Sequence, residues 1–440
     1  MEFGTLQYRG VIEGFLGPMW SHEDRLHVIR HMRGWNMNMF IYSPRDDPYH
    51  RFCWDAPYPA EDMARFTELA AEAQRQGIQF AYGISPGNTF RPRDPAHRLL
   101  LLEKLQPFID LGSTFFPILY DDLQGEFDPD SLTGERHAEM QADVMNDLAG
   151  ALTARCAPAR FLFCPTQYMT AEKSRYLCRL HALLDPRIET AVTGVDGGRG
   201  IIPRTFSDAG ARKYYENFGR RPFLWDNFNV HDRAMNALHW TPYTGRGSHL
   251  NELCSGIVLN PQNIYLYNLP IFACLGDFFA DPHGYDPLAS MRRHLAELLG
   301  EEALPAGLVL SQWFTAECAE YRSSEENLPP LDEAMTPVQR DDLLAQLGEI
   351  FQPLCDFGLK FNRTRLDPKL ASFLLPFANI LQRYARMMVD FSTATQGQAV
   401  ATPAALAAFA DELYAMERYY FRLPASLVDY AKRLSAMFAE

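Results

Sequence analysis

No apolar run in this 440-residue chain reaches the ~20 residues that a membrane-spanning helix needs. The opening Met-Glu-Phe-Gly-Thr lacks the basic and apolar stretches of a secretory signal. Lys and Arg number 41 against 55 acidic residues, a formal charge of -14, so the clustered cations that a nucleic-acid backbone demands are missing. The eight cysteines, at positions 53, 156, 164, 178, 254, 274, 318 and 355, are scattered, with no CxxC pair or Cys/His cluster. That usage fits a reduced protein better than a disulfide scaffold or a zinc site. HExxH is absent, and Gly14-Phe-Leu-Gly17 falls short of the GxGxxG phosphate loop. The expectation is a cytoplasmic protein with no cofactor, metal, nucleic-acid or membrane partner.

What is present is core-forming material, 47% hydrophobic and 13% aromatic, in a chain long enough for more than one domain. From Tyr8 to about Pro282 a short apolar run, a loop and an amphipathic stretch recur. Strands are expected at 8–15, 37–43, 79–85, 113–121, 160–166, 188–194, 222–228 and 256–260. Helical patterns fall between them at 22–35 (with Ser21 as N-cap), 59–76, 95–111 and 135–155. Eight such units over roughly 275 residues have the count and length of a (β/α)₈ barrel, an α/β fold of the TIM type. Beyond Asp286 the strand runs vanish, and 288–299, 343–357, 370–391, 404–421 and 425–438 carry helical periodicity. The expected domains are therefore a barrel over 1–285 and an all-α helical bundle over 286–440. The aromatic cluster Tyr414, Tyr419, Tyr420 and Phe421 reads as core of that bundle.

A barrel assembles its site from the carboxyl ends of its strands. The fourth candidate strand runs Phe116-Pro-Ile-Leu-Tyr and then ends in Asp121-Asp122, two carboxylates that are costly beside a buried strand unless they serve something. The other ends supply Gly14, Ser43-Pro-Arg-Asp-Asp47, Ser85, Thr166-Gln-Tyr168, Thr193, Trp225-Asp-Asn227 with Asp232, and Asn260. Carboxylates, amides and aromatics around one pocket suit a sugar, whose hydroxyls take paired hydrogen bonds and whose C–H face packs on rings. Glycosidic cleavage normally needs two carboxyls about 5 Å or more apart across the bond. Chain neighbours, with Cα atoms about 3.8 Å apart, suit two tasks on one side of the sugar instead. That arrangement fits substrate-assisted hydrolysis, in which the substrate's acetamide oxygen is the nucleophile. One acid then polarises the acetamide N–H while the other protonates the leaving oxygen.

At this point the chain resembles the family 84 glycoside hydrolases, the β-N-acetylglucosaminidases that remove O-linked N-acetylglucosamine from proteins. The resemblance rests on Gly10-Val-Ile-Glu-Gly-Phe-Leu-Gly17 with Trp20, Tyr42-Ser-Pro-Arg-Asp-Asp-Pro-Tyr-His-Arg51 with Trp54, and Ile84-Ser-Pro-Gly87. It continues through Asp121-Asp122, Phe163-Cys-Pro-Thr-Gln-Tyr168, Thr193-Gly194, Trp225-Asp-Asn227 with Asp232, Pro242-Tyr-Thr-Gly-Arg246 and Asn260-Pro261, in order along the chain. It implies that Asp121 polarises the acetamide and that Asp122 is general acid and then general base. Cys164, Tyr168 and Trp225 would line the N-acetyl pocket, and Gly14, Arg45, Asn227, Asp232 and Asn260 would hold the sugar. Arg45 stands where the family usually has Lys, and Leu16 where an aromatic is common. The expected partner is a glycoprotein, peptide or glycan bearing N-acetylglucosamine, and the helical domain is a candidate for homodimerisation. The alternatives are a sugar-binding, non-catalytic lectin-like module and a hyaluronan-type endo-acting hydrolase. Asp46-Asp47, an equally acidic pair, reads more simply as a loop salt-bridge network with Arg45, His50 and Arg51.

Overall fold

The computed structural model describes residues 5–121, 127–196, 205–230, 232, 238–314, 328–355, 368–394, 402–415 and 425–439. Eight strands follow in chain order: β1 (Tyr8–Glu13), β2 (Met39–Tyr42), β3 (Gln79–Tyr82), β4 (Phe115–Leu119), β5 (Arg160–Cys164), β6 (Ile188–Val192), β7 (Phe223–Asp226) and β8 (Gly256–Leu259). Each lies inside its expected run and is shorter than it by one to four residues in all. The strands pair in parallel in the order β3-β2-β1-β8-β7-β6-β5-β4. Closure comes just beyond β3, where Ile84 bridges Ile118: the Ile84 N–H donates to Pro117 at 3.0 Å and the Leu119 N–H to Ile84 at 2.9 Å. A TIM-like barrel is the result.

The helices that alternate with these strands or follow β8 are α1 (His22–His31), α2 (Ala60–Gln76), α3 (Pro95–Asp110), α4 (Leu132–Arg155), α5 (Arg175–Leu183), α6 (Asp208–Phe218), the single turn α7 (Leu250–Leu253) and α8 (Tyr265–Ala280). Ser21 caps α1 as its spacing predicted, in a reciprocal box with Asp24 that satisfies two otherwise orphaned N–H groups. Among the described residues six further helices follow: α9 (Pro287–Leu299), α10 (Leu304–Trp313), α11 (Pro337–Cys355), α12 (Pro368–Ala394), α13 (Pro403–Ala415) and α14 (Ala425–Met437). The chain divides into two compact units. One holds Met1–Asp232, Tyr243–Tyr265 and Phe272–Tyr285, and the other Arg233–Pro242, Leu266–Ile271 and Asp286–Glu440. In the second, Phe351 of α11 meets Tyr384 of α12 at 5.5 Å, and the Tyr384 hydroxyl donates to the Leu427 carbonyl of α14 at 2.7 Å. Tyr419, Tyr420 and Phe421 lie outside the described residues. No helix among the described residues is long and apolar enough to cross a membrane.

Inside the barrel, alternate strand residues stack in layers. Tyr8, Phe115 and Phe223, each the first residue of its strand, form the amino-terminal layer with ring centres 4.8 to 6.2 Å apart. This plug fills one mouth with apolar surface and leaves the polar strand ends to the other. Gly10 is required where β1 meets β2, since a Cβ there would lie 1.7 Å from the Met39 carbonyl oxygen.

Outward-facing strand ends are pinned by ion pairs. Glu13, the last residue of β1, is fully buried and takes both Nε and Nη2 of Arg25 from α1, at 2.7 and 2.8 Å. Burial raises the Glu13 pKa, against the opposing pull of Arg25. Arg25→Met is expected to strand that carboxylate and cost about 3–5 kcal/mol, read as a lower thermal midpoint. Adding Glu13→Gln should recover much of the loss; if the single variant is as stable as wild type, the pair is not what holds α1 on the barrel.

Candidate active site

β4 carries Asp121 to the carboxyl mouth, where the residue is 3% exposed. Its Oδ2 is bound by Arg45 Nη2, which crosses from the loop after β2. Its Oδ1 has no hydrogen-bond partner among the described residues. Ser85 Oγ after β3, Thr193 Oγ1 after β6 and Trp225 Nε1 on β7 share that condition. An unsatisfied buried polar group costs about 1–3 kcal/mol, so four at one barrel end mark a place built for a polar ligand. Asp122 lies outside the described residues.

A second group meets on the neighbouring strands β1, β8 and β7. The Gly14 N–H donates to Asn260 Oδ1 at 3.1 Å, and Asn260 Nδ2 donates to Asn227 Oδ1 at 2.9 Å. The Leu16 N–H donates to Asp232 Oδ1 at 2.9 Å, which ties the loop after β7 to the loop after β1. Trp225 turns inward and packs in one cluster with Cys164 and Tyr168. A Cβ on Gly14 would come within 2.6 Å of the Trp225 ring, so only glycine lets the β1 end approach the indole. Tyr168 is further placed by its carbonyl, which accepts from the Thr193 N–H at 2.8 Å. Of the ten residues singled out in the sequence, nine are thus described, and each stands at a carboxyl strand end or in the loop that follows.

The loop after β2 departs from its expected role. Asp47 does not join Arg45 in a salt-bridge network; Arg45 is on Asp121. Asp47 Oδ2 instead accepts from the hydroxyls of Tyr42 and Tyr58 at 2.7 and 2.6 Å, and Oδ1 from the Tyr49 N–H at 2.8 Å. His50 is fully buried, donating from Nδ1 to the Gly83 carbonyl at 2.9 Å with Ser43 Oγ at 3.3 Å from Nε2. Burial, aided by the Arg45 charge, pushes its pKa down to about 3, so the ring stays neutral and serves as a strut. His231 lies outside the described residues.

Sequence reasoning missed the clamp behind Trp225. Asp226, next in the strand, points outward and is held by Arg246, with Nε at 2.9 Å, and by the Tyr243 hydroxyl at 2.8 Å. Its Oδ1 also accepts from the Phe228 N–H at 3.0 Å, which shapes the turn bearing Asn227. The detectable signal was a charge in strand alternation with an inward aromatic.

The beta-N-acetylglucosaminidase family profile matches residues 9–312. The chain is 30% identical to the Protein O-GlcNAcase of Rattus norvegicus over 262 residues, 58% of this chain and 28% of that protein. The figures for the Mus musculus Protein O-GlcNAcase are the same, so the match spans little more than a quarter of the length of these curated relatives. A structure of a mutant O-GlcNAc hydrolase from Thermobaculum terrenum superposes with a TM-score of 0.84 at 25% identity, covering 98% of this chain and 94% of that one.

Proposed function

The chain belongs to the β-N-acetylglucosaminidase family of glycoside hydrolases, and from that premise we propose that it removes terminal β-linked N-acetylglucosamine, with retention, from the Ser or Thr of a protein. The observation that carries this reading is Asp121: a buried carboxylate at the end of β4, with one oxygen on Arg45 and the other without a protein partner among the described residues. A second acid follows it directly in the chain.

In this reading Asp121 Oδ1 accepts the N–H of the substrate's acetamide and turns the carbonyl oxygen toward C1. Asp122 protonates the leaving oxygen, the C1–O bond breaks, and the acetamide oxygen closes an oxazoline. Asp122, now a carboxylate, takes a proton from the water that reopens the ring, and both displacements together retain the β configuration. Arg45 holds Asp121 in the orientation this requires. Cys164, Tyr168 and Trp225 enclose the acetamide methyl and steady the oxazoline, while the Gly14 carbonyl, Asn227, Asp232 and Asn260 hold ring hydroxyls.

The test is hydrolysis of an aryl β-N-acetylglucosaminide, an O-GlcNAc peptide and a chito-oligosaccharide side by side, with a thiazoline that mimics the oxazoline as competitor. Turnover of the first two with strong thiazoline inhibition is expected. Sugar binding without turnover would transfer the protein to the lectin reading, and release of oligosaccharides from internal bonds to the endo-acting one.

A further inference from the structure

Lysine is scarce in this chain: six residues, at 104, 173, 213, 360, 369 and 432, with arginine supplying the rest of the 41 cations. Among the described residues Lys173 is exposed, while Lys213 and Lys432 make surface ion pairs with Glu172 and Asp411. Lys104 of α3 is different, at 7% exposed. Its Nζ donates to the Ala56 carbonyl and lies 4.2 Å from the Tyr58 ring centre and 5.4 Å from that of Tyr49. Beside it opens a cavity of about 300 Å³ whose wall is largely apolar, with Met63, Leu100 and Phe108, and whose acids are Asp55 and Glu103. Nothing in the hydrolytic scheme uses this amine or this cavity.

We propose that Lys104 is the nucleophile of a second site, which captures a small aromatic aldehyde in this cavity as an imine. The volume is at the small end for a ligand pocket and suits a single ring. The acids on the wall disfavour an anionic ligand and favour a neutral one. The neutral amine adds to the aldehyde carbon, forming an N–C bond as the carbonyl pair moves to oxygen. A proton passes from nitrogen to that oxygen, and loss of water then breaks the C–O bond and leaves C=N. No oxidant or reductant is consumed. Burial brings the lysine pKa down to about 8, against the opposite pull of Asp47, Asp55 and Cys53. The tyrosines 49 and 58 and Glu103 complete the titratable groups around it.

The test incubates the whole chain with benzaldehyde between pH 6 and 10, traps imines with cyanoborohydride and maps the secondary amines by peptide mass spectrometry. Lys104 should label about tenfold or more faster than Lys173, Lys213 or Lys432 at pH 7.5, because a larger fraction of it is neutral. Its rate should saturate with benzaldehyde concentration, as capture in a cavity requires, and should rise through pH of about 8. Lys104→Arg should keep the thermal transition and lose that adduct. Even labelling across the four lysines, or a Lys104 rate strictly linear in benzaldehyde, would overturn the proposal, and wild type alone decides both.

Discussion

Asp122→Ala is expected to slow release of a peptide serine by about 10²–10⁴-fold while slowing release of a dinitrophenol far less. The asymmetry follows from where the proton is needed. An alkoxide departs only if its oxygen is protonated as the C–O bond breaks, whereas a phenolate of low basicity leaves unaided. With the good leaving group the slow step shifts to opening of the oxazoline, where water has lost its base. Added azide, which needs no deprotonation, should then restore turnover of the dinitrophenyl substrate and do nothing for the peptide. The measurement is kcat/KM across a series of leaving groups. A steep dependence in the variant against a shallow one in wild type is the expected pattern, and an equal fall at both ends of the series removes Asp122 from the role of general acid.

The residues that made the barrel legible are those of the strands themselves. Phe115–Leu119 and Gly256–Leu259 are buried at every position, and buried parallel strands advertise themselves as unbroken apolar runs. The ends were over-read because the mouth residues continue the apolar run: Tyr120, Phe15 and Phe228 are buried although none is in a strand. Helix α10, Leu-Pro-Ala-Gly-Leu-Val-Leu-Ser-Gln-Trp, escaped notice because it is apolar on all sides and so carries no 3.6-residue period.

At the site, residue type and strand-end position were readable; partnership was not. Arg45 reads as a sugar ligand from its motif, and the geometry places it on a carboxylate 76 residues away. Glu13–Arg25 and Asp226–Arg246 are separated by 12 and 20 residues. Their pairing depends on which way a strand end faces and which helix or loop passes behind it. The second of these is not encoded in local spacing. The alternation itself is: Ile12 and Trp225 turn inward, so Glu13 and Asp226 must turn out, and a charge turned out beneath a helix layer needs a cation.

Asp121→Asn changes no volume and yet is expected to lower kcat on N-acetylglucosaminides by about 10²–10³-fold, the cost of losing one group aimed at developing charge. The substituted amide can still accept weakly through its oxygen. It cannot offset the positive charge that gathers on the acetamide nitrogen as its carbonyl oxygen bonds to C1, so the loss falls on kcat with a smaller change in KM. The Arg45 guanidinium also loses its carboxylate, and breaking a buried pair from one side costs about 3–5 kcal/mol. These two consequences can be separated. Arg45→Met combined with Asp121→Asn replaces the pair by groups of similar size without a stranded charge, and should return the thermal midpoint toward wild type while leaving kcat depressed. Arg45→Met alone strands the carboxylate, and it should lower stability while retaining more activity than Asp121→Asn. If the double variant recovered turnover along with stability, Asp121 would be a structural partner of Arg45 and the acetamide would have to be polarised by another group.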